Sequence, residues 1–147
     1  MTDGVNVVYL DTLNNLIVRF SGGVVVLGTV ASYAGYGGSP AHAFYEVEFG
    51  WTAYLLSDGG GVAQVWVRSP TGEIRKATSV GQSARIVSLG NAGQVVYSSG
   101  GQVYVTQYPY TAAPVRVFAD LTSRNDVRWR GEDLRFYLGR TAFDVSY

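Results

Sequence analysis

Cysteine is absent from this 147-residue chain, and histidine, lysine and methionine occur once each, as His42, Lys76 and Met1. The missing thiols exclude disulfides, thiolate nucleophiles and Cys-based zinc sites. An excess of charge is missing too, since 11 basic residues balance 11 acidic ones. A dedicated binder of nucleic acid or of an anionic membrane carries a surplus of one sign, so neither partner is expected. No apolar run is long enough to span a bilayer. The N-terminus, Met1 to Asp11, has neither the basic start nor the long apolar centre of a signal peptide. No window sustains the i, i+3, i+4, i+7 spacing of an amphipathic helix.

What remains is rich in β-forming and turn-forming residues. With 47% of its residues hydrophobic the chain can bury a core of its own, and its length is that of one domain. Valine and tyrosine suit pleated, half-buried surfaces, and the 19 glycines suit tight turns. The expected fold is all-β, with eleven to thirteen strands.

Strands are expected at 5–11, 16–20, 43–49, 51–57, 62–68, 73–78, 84–89, 94–98, 102–108, 115–119, 127–130, 133–138 and 141–147. Gly23 to Val30 is a continuous apolar run of the kind that suits a strand buried on both faces. In 43–49 the alternation sets Tyr45 and Val47 on a dry face and Glu46 and Glu48 on a wetter one. Ser57 to Gly61 reads as a hairpin turn, because it lacks the Lys-Ser/Thr of a phosphate loop and precedes a strand. Ser69 to Gly72 places Pro and Gly where a β-turn needs them. Ala34 to Ala41 is a Gly-rich loop.

A pattern repeats between Gly50 and Asp120. Trp51–Leu56, Gln64–Arg68 and Gly72–Ala77 are followed by Gln94–Ser99, Gln102–Thr106 and Pro114–Phe118, with a fainter copy in Asp133–Leu138 and Ala142–Ser146. Tyr54, Tyr97 and Tyr137 mark the copies at intervals of about 40–43 residues, the period of a four-stranded propeller blade. Residues 1–20 then form a partial blade, 21–42 an insertion, 43–80 and 81–120 two blades, and 121–147 a partial blade. About three and a half blades cannot close a ring that ordinarily takes four to eight. The expectation is a propeller-like arc of about three to four blades, completed by oligomerisation or by a longer chain; a β-sandwich is the alternative. An open arc leaves apolar faces and strand edges bare, which favours association.

Gly50–Tyr54, Gln64–Gly72 and Ser83–Tyr97 resemble the blades of TolB-like and related bacterial β-propellers, over about residues 43–147. Residues 21–42 depart from that pattern. The resemblance implies a non-enzymatic module that binds proteins or glycans, in an extracellular, cell-surface or virion setting. Its partners would be further copies of itself or other subunits of an assembly, with a glycan as the alternative.

No residue pattern calls for a cofactor, a metal or catalysis. His42 stands alone, without a nucleophile elbow. Glu46 with Glu48, and Glu132 with Asp133, lack the opposed geometry of a glycosidase pair, which leaves a hydrolase fragment as a distant reading. Asp11, Asn14 and Asn15, and Asp120, Asn125 and Asp126, lack the spacing of a calcium loop and suit Asx turns. Trp51 and Trp66 fall at core positions of the repeat. The residues expected at a partner or ligand contact are the loop tyrosines Tyr33, Tyr36, Tyr108 and Tyr110, and the arginines Arg128, Arg130 and Arg135. Arginine and aromatic residues are what interfaces favour.

Overall fold

Alternating segments punctuated by glycine turns produce fourteen strands among the described residues of the computed structural model. It describes residues 1–13, 15–29, 45–118, 126–130, 133–138 and 141–145, with residues 15, 29, 118 and the last three segments described by their backbone alone. β1 (Val7–Leu10), β2 (Asn15–Phe20) and β3 (Gly23–Thr29) make the first sheet. β4 (Tyr45–Glu48), β5 (Trp51–Ser57), β6 (Ala63–Arg68) and β7 (Ile74–Lys76) make the second. β8 (Arg85–Leu89), β9 (Val95–Ser99), β10 (Gln102–Thr106) and β11 (Val115–Phe118) make the third. β12 (Asp126–Arg130), β13 (Asp133–Leu138) and β14 (Thr141–Val145) make the fourth. Each sheet is an antiparallel meander in chain order, and none is closed. Among the described residues there is no helix, and so none long and apolar enough to cross a membrane.

The fourteenth strand, beyond the thirteen expected ranges, is the apolar run Gly23–Thr29, which forms β3. A second difference concerns Gly23–Thr29. It is not buried on both faces. It pairs with β2 as the edge of the first sheet, and Val24 and Val26 are 57% and 59% exposed. A run of valines looks the same in sequence whether its second face is covered or bare. The Gly-rich loop, His42, Tyr33 and Tyr36 lie outside the described residues.

The side chains of the second sheet divide between two cores, as the period-two pleat requires. Ala53, Leu55, Ala63, Val65 and Val67 pack with Ile86, Leu89, Val95 and Tyr97 of the third sheet. Tyr45, Val47 and Tyr54 pack with Val8, Leu16, Val18 and Leu27 of the first, and Leu56 and Trp66 border them. The second sheet is therefore dry on both faces. Glu46 and Glu48 sit half-buried on β4 while Tyr45 and Val47 are buried, in keeping with the alternation. The third sheet is covered on its far face as well, since Val96, Val103 and Val105 are at most 1% exposed. β8 approaches β4, β5 and β6, and also β12.

Polar contacts close what the strands leave open. The Asp3 carboxylate accepts from the backbone N–H of Val5 and Asn6 through one oxygen and from that of Gly50 through the other. Asn6 Nδ2 donates to the Gly50 carbonyl at 2.7 Å. This ties the N-terminal segment to the β4–β5 turn, where Phe49 and Gly50 both have positive φ (46° and 85°). Beyond β7, the connection 77–84 takes over the free edge of β6. Thr78 Oγ1 accepts from Val65 N, Ala77 N donates to Val65 O, and Ala84 N donates to Ala63 O. Gln64, 2% exposed, holds that connection: its Oε1 accepts from Thr78 Oγ1 and Val80 N, and its Nε2 donates to Val80 O.

Candidate functional site

The densest polar and aromatic grouping among the described residues lies where the β10–β11 connection, residues 107–114, crosses toward the second sheet. Tyr108 OH donates to Glu73 Oε2, just before β7. Arg75 donates through Nε to Glu73 Oε1 at 2.7 Å, and its guanidinium lies 5.5 Å from the centre of the Tyr108 ring. Trp51, at the start of β5, meets Tyr108 edge-on at 5.1 Å, and Tyr108 meets Tyr110 edge-on at 5.7 Å. Tyr110 OH donates to the Gly93 carbonyl at 2.7 Å. Gly93 has φ 76° and faces the Trp51 ring, where a Cβ would come within 2.7 Å, so only glycine suits the site.

These contacts set the protonation of the cluster. The hydrogen bond from Tyr108, and after it that from Arg75, holds the Glu73 carboxyl below its ordinary value. The same bond raises Tyr108. Burial pushes Tyr110 well up, so its hydroxyl stays neutral. The two tyrosines expected at a contact surface are half-buried with their hydroxyls engaged, that of Tyr108 across the seam to Glu73 of the second sheet and that of Tyr110 within the third sheet to the β8–β9 turn. Glu73 and Arg75 are each about two-fifths exposed and satisfy one another, so the cluster works as a clasp between sheets.

Beneath the same connection runs a cleft of about 250 Å³ lined by Lys76, Thr78, Ser79, Tyr97, Tyr110 and Thr111, with Ala77, Ala112, Ala113 and Pro114 as its apolar walls. Tyr97 is 1% exposed, and burial raises its hydroxyl to about 12. Its ring stacks on Tyr104 at 5.3 Å, its partner across β9 and β10. The sequence marks Tyr97 as a repeat position but gives no sign that a cleft opens beside it.

Arg128, Arg130 and Arg135 are described by backbone position alone. Arg128 pairs with Arg135 across β12 and β13, Arg130 with Asp133, and Arg135 with Asp144 across β13 and β14. Among the described residues, no group of three His, Cys, Asp or Glu side chains is placed to hold a metal ion. Asp11 Oδ1 accepts from Leu13 N at 2.8 Å, the Asx turn expected there. Compared with known proteins, the chain matches no family model, no curated protein and no solved structure.

Proposed function

We propose that this chain is a non-enzymatic structural and interaction module of propeller-like build, whose sheets stand side by side as blades of an open arc that further copies complete. The observation that carries the reading is the bare face of the first sheet. Tyr9, Ile17 and Val26 stand in one cross-strand row, and Val7, Arg19 and Val24 in the next. Val7, Tyr9, Val24 and Val26 are 40–59% exposed, whereas Ile17 on the central strand is 6% exposed, so the bare residues are those of the two outer strands. Rows of this composition are what the second sheet buries on both of its sides. A two-sheet sandwich has one seam, whereas here a middle sheet has two, which supports a serial arrangement. Arg19 is the only charge in those rows, so the face is suited to an apolar partner, and the partner proposed is a second copy of this chain. The setting of such an assembly, a bacterial surface or a virion, follows from the resemblance of the repeats.

Light scattering over a range of concentrations tests this. The expected mass exceeds the 15.9 kDa of one chain and grows with concentration. A Val24→Lys/Val26→Lys variant, charged on an edge strand, is expected to stay at 15.9 kDa with an unchanged circular dichroism spectrum. A wild-type chain that remains a monomer at every concentration would sink the proposal. A second reading, carbohydrate binding, is favoured by the cleft beside Tyr97.

A further inference from the structure

We propose that the cleft between the second and third sheets binds a single acidic sugar residue of hexuronate size. Four features point to that class of ligand. The volume, about 250 Å³, lies just below the range that holds drug-sized molecules and suits one ring with its substituents. The lining contains one cation, Lys76, and no carboxylate, so a negative group is favoured inside it. Lys76 forms no contact ion pair among the described residues. Asp58, an acidic group that feels the Lys76 charge, already accepts from Gly60 N, Val62 N and Gln64 Nε2. Finally, Tyr97 is almost wholly buried, yet its hydroxyl has no hydrogen-bond partner among the described residues and is not sealed from solvent. A buried tyrosine hydroxyl ordinarily finds a partner.

The residues divide the work of recognition. Lys76 takes the carboxylate. The hydroxyls of Tyr97, Ser79 and Thr111, none of which is engaged with the described residues, exchange hydrogen bonds with the sugar hydroxyls. The apolar walls and the half-exposed Tyr110 ring cover the carbon face of the sugar. Tyr110 keeps its bond to the Gly93 carbonyl, and Thr78 its bonds to Gln64 and Val65, so neither has to be released for a ligand to enter.

The test is a titration of the ¹⁵N-labelled full chain with glucuronate, glucose and acetate, each alone. Glucuronate is expected to saturate at a Kd of about 1–10 mM, with shifts centred on residues 76–79 and 110–114, and glucose and acetate to bind at least about tenfold more weakly. Lys76→Gln is expected to lose about tenfold for glucuronate and to bind glucose unchanged. Tyr97→Phe removes a hydroxyl that contributes no internal bond, and is expected to weaken glucuronate about two- to tenfold at an unchanged Tm. The Val24→Lys/Val26→Lys variant is expected to bind as the wild type does, which separates this site from the assembly face. Absence of saturable shifts with glucuronate, acetate binding as tightly as glucuronate, or wild-type affinity in both cleft variants would each overturn the assignment.

Discussion

At the scale of single residues, the connections between sheets rest on side chains whose partners are distant in sequence. Asp3 is the clearest. Burial pushes its carboxyl up, and the N–H donors of Asn6, Gly50 and Val5 outweigh that effect and hold it below its ordinary value. A carboxyl lowered in the folded state contributes stability that is complete above the unfolded value of about 3.9 and is lost as the pH falls through the lower folded value. Acid is therefore expected to loosen the N-terminal segment below about pH 4. Asp3→Asn is expected to cost about 1–3 kcal/mol near neutrality, with a shallower loss in acid, measured by urea unfolding across pH. Nothing in Met1–Asn6 announces this role, because the acceptor's third partner lies 47 residues away.

At the scale of elements, legibility followed the pleat. Trp51–Ser57 and Asp133–Leu138 are strands at the expected bounds, since alternation bounded by glycine or by charge leaves few other readings. The turn at Ser69–Gly72 closes with Gly72 N donating to Ser69 O at 2.9 Å, as its Pro and Gly require. The valine run of β3 was legible as a strand but not as an edge. The tyrosines of 107–114 were legible as a grouping but not as a clasp, since their bonding depends on Glu73 and Gly93 from two other turns. Gln64 was legible only as a repeat position. Its amide replaces part of a missing neighbour strand, so Gln64→Leu leaves Val80 N and Thr78 without their acceptor. The expected loss is about 1–3 kcal/mol in the midpoint of a urea curve, with an unchanged slope.

At the scale of the whole molecule, the sheets differ in how they are enclosed. β5, β6 and β9 have both faces dry, whereas β3 and β7 are edges with exposed side chains. Amide hydrogen exchange is expected to be slowest in β5, β6 and β9 and fastest in β3 and β7, since local opening follows the coverage of backbone hydrogen bonds. Equal protection across all five strands would contradict this ordering.

Arg68 gives the joint between the first two sheets a particular character. It is 4% exposed, it rests 4.4 Å above the Phe20 ring, and among the described residues its guanidinium makes only a long hydrogen bond, to the Ser69 carbonyl at 3.4 Å. Across the strand pair from it, the fully buried Thr52 hydroxyl has no hydrogen-bond partner among the described residues. Bringing the first sheet into place therefore strips water from a cation and a hydroxyl and returns only a ring face and a weak acceptor. The joint beyond β6, by contrast, has Gln64 fully occupied. If the molecule comes apart in stages, the break begins at the guanidinium, and the first sheet swings away while the others remain together.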